Sequence, residues 1–324
     1  MGESLWVWIG FNALVLVLLA IDLGVFNREA HVIGVREAAR WTAALVTLAL
    51  AFNAGIFFTL GPQPALEFFT GYLIELALSV DNVFVFVLIF AYFSVPPKYQ
   101  HRVLFWGILG ALLMRGAMIG AGVVLLNRFE WIIYIFGAFL VFTGIRMATG
   151  PETELHPEHN PVLKLVRRVI PVTRDYHGQK FFVEEEIKGE LRKAATPLFV
   201  VLVLLETTDL IFAVDSIPAI FGVTRDPFLI YTSNVFAILG LRSLYFLLAG
   251  VIERFHYLKI GISGVLVFVG GKMLAEYFDL HVPTYVSLLV VGGVLAASVI
   301  ASLLFPRPEK SVVVPDSPTP PADL

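Results

Sequence analysis

Cysteine is absent from the 324-residue chain, which excludes disulfides, thiolate metal sites, iron–sulfur clusters and thiol catalysis. Histidine is sparse. His31, His101, His156, His159, His177, His256 and His281 all fall in predicted loops or at the ends of apolar runs, so imidazole is missing from the apolar segments as a ligand. No Lys or Arg precedes the first apolar run. The positive n-region of a signal peptide is therefore lacking, and that segment is expected to be retained. No basic block with interleaved aromatics accompanies the net charge of −3, which sets nucleic acid aside as a partner. No nucleophile–base pair or nucleotide motif stands out, so an enzyme is not expected. Charged residues amount to only 15%.

What is present is hydrophobic. At 58% apolar the chain exceeds the roughly 45–50% of soluble domains. Its apolar stretches are long enough to cross a hydrocarbon core about 30 Å thick at about 1.5 Å per residue. Apolar runs separated by charged or Gly/Pro-marked breaks predict nine spans, at 6–26, 39–60, 66–94, 103–126, 129–149, 197–221, 228–250, 257–276 and 283–305. The expected fold is an all-α polytopic membrane protein with the lipid bilayer as its solvent. The count is checked by charge, because cytoplasmic loops hold the excess of Lys and Arg. Of the 23 such residues, 17 fall in loops of one side, only Arg128 and Arg225 fall in loops of the other, and Arg115, Arg146, Arg242 and Lys272 lie within or at the ends of spans. This places the protein in the inner membrane with its amino terminus outside and its carboxyl terminus in the cytoplasm.

Two segments fall outside the spans. Residues 150–196 hold eight basic and eight acidic residues and are expected to form a cytoplasmic surface loop, with the run Glu184 to Glu186 as a solvated face. The tail at 306–324, with Pro308, Pro315, Pro318, Pro320 and Pro321 among small polar residues, is expected to be disordered.

The chain repeats itself. Arg128-Phe129 through Met147 matches Arg254-Phe255 through Met273 at an offset of 126. Upstream, Glu75-Leu-Ala-Leu-Ser-Val-Asp81-Asn82 overlies Asp209-Leu-Ile-Phe-Ala-Val-Asp215-Ser216 at an offset of 134. Each copy holds three spans, and an odd number makes the second enter the membrane in the opposite direction. The expectation is an inverted repeat of two three-helix units, 61–149 and 197–276. Two helices at 1–60 precede them and a last helix at 277–305 follows.

Both copies set acids into apolar helices. Glu75, Asp81 and Asn82 lie in span three; Glu206, Asp209, Asp215 and Ser216 lie in span six. An Asp at a helix centre costs roughly 2.5–3.5 kcal/mol on insertion scales, so something must compensate five acids. The bland account is internal pairing with Arg115, Arg242 and Lys272, or protonation. At about 100° per residue, Glu75, Ser79 and Asn82 share one face, and so do Glu206, Asp209 and Ser216. Asp81 and Asp215 sit about 120° away from their partner acids. Pro218 predicts a bend that frees the carbonyl of Val214 beside Asp215; the first copy has Phe84 at the matching position. With only oxygen donors in the membrane, the inventory favours Mn2+, Ca2+ and Mg2+ over Zn2+ or Cu+. Chemistry alone does not choose among the three. The same acids can exchange protons for the ion, which makes proton antiport feasible. Asp22 and Asn53 stand as pathway or interfacial residues alike, and Arg115, Arg242 and Asn234 are placed as groups that hold acids or backbone.

With those motifs in hand, the chain resembles the TerC family of integral membrane proteins over about 6–305. Glu75 to Asn82 is similar to that family's first acidic motif, and Glu206-Thr-Thr-Asp209-Leu-Ile-Phe-Ala-Val-Asp215-Ser216-Ile-Pro218-Ala to its second. The resemblance implies a manganese exporter, with Glu75, Asp81, Asn82, Glu206, Asp209 and Asp215 as ligands of the transported Mn2+. The family name comes from tellurium resistance, which fits an acidic core poorly because tellurite is an anion; resistance would then be indirect. The competing expectations are a membrane scaffold that helps insert or metallate other proteins, and a Ca2+ exchanger.

Overall fold

A computed structural model of the chain describes residues 5–21, 33–150, 168–173, 175–187, 190–249, 255 and 257–305. Nine helices of 17 residues or more follow one another among these: α1 (Leu5–Ile21), α2 (Val35–Leu60), α3 (Pro62–Tyr92), α4 (Pro97–Arg128), α5 (Ile132–Thr149), α6 (Pro197–Phe221), α7 (Pro227–Leu248), α8 (Leu258–Ala275) and α9 (Thr284–Leu304). The protein is all-α and polytopic. Eight helices are long and apolar enough to cross a membrane, and α1, at 17 residues, is shorter. Asp22 and the tail at 306–324 lie outside the described residues, as do 151–167 of the long polar segment.

Prolines mark where helices begin. Pro62, Pro97, Pro197 and Pro227 each occupy the first turn, where a missing N–H removes no helical hydrogen bond and the fixed φ already suits the helix. This is why α3 and α4 start earlier than their apolar runs suggest. Asp226 caps α7 by accepting from the N–H groups of Phe228 (2.8 Å) and Leu229 (3.3 Å), which satisfies two of the orphan donors of that helix end.

Polarity sorts the helices from inside to outside. α7 is enclosed almost all round and is the least apolar of the eight spans, with Thr232, Ser233, Asn234, Arg242 and Ser243 all buried. α2 and α9 are mostly exposed and strongly apolar. Lipid is as apolar as leucine, so exposed apolar faces cost nothing there, while polar groups must find partners inside the bundle. Aromatic side chains of α1, α2, α3 and α7 form one core cluster: Phe11, Phe52, Phe68, Phe228 and Phe236 meet with ring centroids 5.1 to 6.3 Å apart.

The closest helix pair is α5 with α8, which run antiparallel and touch through glycine. A Cβ on Gly137 would stand 2.9 Å from the Gly270 carbonyl, and one on Gly144 would stand 2.8 Å from the Ser263 carbonyl. The Ser263 hydroxyl donates to the carbonyl of Gly144. Small residues let the two backbones approach in this way, which is how membrane helices gain van der Waals contact without a hydrophobic drive.

The polar segment is more ordered than a surface loop. Its β1 (Phe182–Ile187) and β2 (Glu190–Ala195) pair antiparallel, with Glu184 opposite Lys193 and Glu185 opposite Arg192. Two opposite-charge pairs across the strands stabilise the register by about 0.2–1 kcal/mol each, and that charge complementarity was the signal in the sequence. Glu184 and Glu185 are exposed, in keeping with a solvated face. The hairpin is docked on the bundle. Phe182 packs against Phe199 of α6 with ring centroids 4.5 Å apart and the rings tilted by 47°, Arg102 of α4 lies 5.1 Å from the Phe181 ring, and the Tyr176 hydroxyl donates to the Phe93 carbonyl at 2.7 Å. Burial pushes the Tyr176 phenol up to about 12, so this donor keeps its proton at physiological pH. The side of the bundle carrying the hairpin is called the hairpin end below.

Gly270→Ala is expected to lower stability in detergent by about 1–3 kcal/mol through overpacking, read by thermal unfolding. Gly292→Ala on α9, where a Cβ meets nothing within 4 Å, is the control and is expected to leave the melting temperature unchanged or raise it. Equal effects would show that the α5–α8 contact is not tight.

Candidate cation site

α3 and α6 run antiparallel. The C-terminal end of α3 and the N-terminal end of α6 both meet the hairpin segment, and at the opposite end Gly71 approaches Ile220. Where they face each other, the polar stripes expected from helical spacing come together. Glu75, Ser79, Asn82, Asp209 and Ser216 are each 3% exposed or less.

Arg115 of α4 enters between the two stripes and is itself 2% exposed. Its Nε donates to Asp209 Oδ2 at 3.1 Å and its Nη2 to Asp209 Oδ1 at 2.9 Å, a bidentate fork. Its Nη1 donates to Glu75 Oε1 and, at 3.1 Å, to Ser216 Oγ. Four of the five guanidinium donors are thus used, in the planar geometry that arginine alone offers. The pairing expected of Arg115 is present. Arg242 instead meets His101, with 2.8 Å between Nη1 and Nε2. Lys272 lies near Glu67 and Glu276 rather than the motif acids.

The arginine leaves part of the site unused. Glu75 Oε2, Ser79 Oγ and Asn82 Nδ2 are buried and have no hydrogen-bond partner among the described residues, and the same holds for the side-chain amide of Asn234 on α7. Buried polar atoms without partners are uncommon, and each one raises the question of what it serves.

The other acids stand apart from this cluster. Glu206, one helical turn before Asp209, is half-buried, and its carboxylate lies against the backbone of Gly110 on α4, where any Cβ would collide with it. Asp81 is half-buried and faces Lys259 of α8. Asp215, also half-buried, faces Thr143 and Arg146 of α5. Among the described residues no three His, Asp or Glu side chains are close enough to share one metal ion. The six expected ligands therefore do not converge on one point in this conformation, because Arg115 holds two of them and the 120° offset turns Asp81 and Asp215 towards other helices. Nor is α6 broken. It continues through Pro218 to Phe221, so the proline withdraws a donor from the Val214 carbonyl without opening the helix. Asn53 lies on α2, its Oδ1 buried and without a hydrogen-bond partner among the described residues.

Access to the site differs at the two ends. On the hairpin side a cavity of about 10 Å³, lined by Phe86, Leu104, Ile108, Leu205 and Leu241, borders Asp209, with Arg242 in its wall; at the other end a cavity of about 100 Å³ lies beside Asn127, Glu130 and Arg225. The opposite end is tied by a polar network that gave no sequence signal. Glu67 accepts from Gln63 at 2.9 Å and from Thr224 at 2.6 Å, Gln63 donates to Thr284 at 2.6 Å, and Arg225 pairs with Glu276 at 3.3 Å. These bonds join α3, the α6–α7 connection, the end of α8 and α9.

Removing one partner of a buried ion pair leaves an uncompensated charge, at a cost of about 3–5 kcal/mol. Asp209→Leu is expected to lose that much in detergent unfolding, whereas Asp81→Asn and Asp215→Asn, at half-exposed positions, are expected to lose less than about 1 kcal/mol. Equal losses at all three would argue against the Arg115 cluster as the bundle's electrostatic keystone.

Comparison with known sequences agrees with this architecture. The sequence profile of the family described as "Integral membrane protein TerC family" matches residues 60–310. An "Uncharacterized membrane protein STKORF319" of Myxococcus xanthus is 54% identical over 300 residues, covering 93% of this chain and 92% of the relative. A protein of Escherichia coli (strain K12) named "Putative membrane-bound redox modulator Alx" is 50% identical over 303 residues, covering 90% and 92%. An "Uncharacterized membrane protein" of Rickettsia bellii is 39% identical over 297 residues, covering 92% and 97%. No solved structure matches.

Proposed function

We propose that this chain, which belongs to the TerC family of integral membrane proteins, is a secondary transporter that exports a hard divalent cation, Mn2+ first, from the cytoplasm. The observation that carries this reading is the row of buried oxygen donors on the facing stripes of α3 and α6, with atoms of Glu75 and Ser79 left without partners. Charged groups in the membrane interior are expensive and mark ion pathways by default. A purely structural ion cluster would gain by satisfying every member.

Charge counting favours a divalent ion. Glu75, Asp209 and Glu206 stand against a single Arg115, which leaves two negative charges when all three acids are ionised. Mn2+ neutralises that cluster, and protons taken up by the same acids would serve as the counter-flow in antiport. Carboxylate, hydroxyl and amide oxygen suit Mn2+, Ca2+ and Mg2+.

The moving parts are α3–α5 and α6–α8, read as two inverted three-helix units. The α5–α8 contacts support that reading: at the offset of 126, Gly137 corresponds to Ser263 and Gly144 to Gly270. The Gly137–Gly270 contact is thus the image of the Gly144–Ser263 contact, as two units related by a pseudo-two-fold axis require. In the conformation described, a small cavity borders Asp209 on the hairpin side, while hydrogen bonds tie the far end, where a second cavity lies beside Arg225. The relatives' name speaks of redox; a chain without cysteine has no thiol chemistry of its own to contribute.

The test is flux of Mn2+, Ca2+ and Mg2+ into inverted proteoliposomes. Mn2+ uptake by the wild-type chain is expected to be abolished in Glu75→Gln, which leaves Asp209 to pair with Arg115, while the variant remains folded and inserted. Absence of flux for all three ions in a folded sample would overturn transport and leave a membrane scaffold.

A further inference from the structure

We infer that Arg115 is the resident cation of the acidic site, and that cargo binds by displacing its guanidinium from Glu75 and Asp209. This rests on the transport reading above and adds to it a specific competitor built into the chain.

The geometry sets pairing and cargo binding in competition. Both oxygens of Asp209 and one of Glu75 are already taken by the guanidinium. A divalent ion among the α3 and α6 stripes finds one idle carboxylate oxygen, Glu75 Oε2, and otherwise the neutral groups of Ser79, Asn82 and Ser216, so neutralising its second charge requires the Asp209 oxygens that the guanidinium holds. The atoms that Arg115 leaves idle, Glu75 Oε2 and Ser79 Oγ, are buried beside it. A fork of N–H donors reaches the carboxylates in its own plane, whereas a hard cation gathers oxygen from all directions. The idle atoms are thus what the arginine cannot use and a cation can.

A displaced arginine needs another acid, and one is in place. Glu206 lies a single turn from Asp209 and has no ion-pair partner among the described residues. Its carboxylate rests on α4 itself at Gly110, about 7.5 Å along that helix from Arg115 at 1.5 Å per residue. The absence of a Cβ at Gly110 is what brings the acid onto α4, and because five residues turn the helix by about 140° the guanidinium must swing round α4 to meet it. Passing from Asp209 to Glu206 keeps the guanidinium paired while the divalent ion neutralises Glu75 and Asp209. When cargo leaves, the return of Arg115 prevents two bare carboxylates from facing each other in a low-dielectric interior.

The experiment is equilibrium Mn2+ binding to the full-length detergent-purified chain, paired with net Mn2+ efflux from proteoliposomes. Arg115→Met, which keeps length but removes charge, is expected to bind Mn2+ about tenfold tighter or more, a difference of about 1.4 kcal/mol, while net efflux slows because the empty carrier has lost its internal counter-ion. A folded Arg115→Met with unchanged or weaker affinity would overturn the inference and make Arg115 a structural clamp. If that variant does not fold, Arg115→Lys, which keeps the charge but loses the fork, is expected to bind Mn2+ tighter than wild type by a smaller factor, and unchanged affinity there would overturn it equally. The transport reading fails separately, if the wild-type chain itself neither binds nor moves Mn2+, Ca2+ or Mg2+.

Discussion

A buried guanidinium shared by two carboxylates on different helices is the interaction around which this bundle is arranged. Arg115, Glu75 and Asp209 belong to α4, α3 and α6, and a charge on any of the three would be costly in hydrocarbon without a partner. Three helices are held together because their charges have no other partner. The same pairing is only partly complete, since one Glu75 oxygen and the Ser79 hydroxyl remain unused. The arginine thus satisfies most but not all of the acceptors around it.

Around this centre the packing follows from the solvent being lipid. α7, the most polar span, is the most enclosed, while the apolar α2 and α9 face outward. Association then depends on close approach, and the α5–α8 crossing achieves it with Gly137, Gly144, Gly270 and Ser263. A rigid glycine-lined pair beside a charged crossing of α3 and α6 gives the bundle one tight seam and one electrostatic seam. Asp81 and Asp215 link the two, since each reaches from α3 or α6 to the opposite unit, towards Lys259 of α8 and Arg146 of α5.

The ends are unequal. At the hairpin end the polar segment docks on α4 and α6 through Phe181 and Phe182 and on the end of α3 through Tyr176. At the other end Glu67 gathers Gln63 and Thr224. The first contact is largely aromatic and the second is made of hydrogen bonds near the helix ends.

Periodicity and charge in one dimension determined the helices, the loops and the two polar stripes. A membrane span must be a run of apolar residues, and residues three, four and seven apart must share a face. Glu75 with Ser79 and Asn82, and Asp209 with Ser216, were legible for that reason, as was Arg115 as a holder of acids. Which acids the arginine takes was decided only by tertiary structure, because the spacing within α3 or α6 says nothing about the helix that lies between them. The choice of Arg115 over Arg242 and Lys272 depends on how α4, α7 and α8 sit around the crossing. The hairpin was hidden because its signal is complementarity between two strands rather than a pattern within one. The partner of Glu206 was hidden as well, since a glycine such as Gly110 shows its purpose only when the backbone it exposes meets another helix.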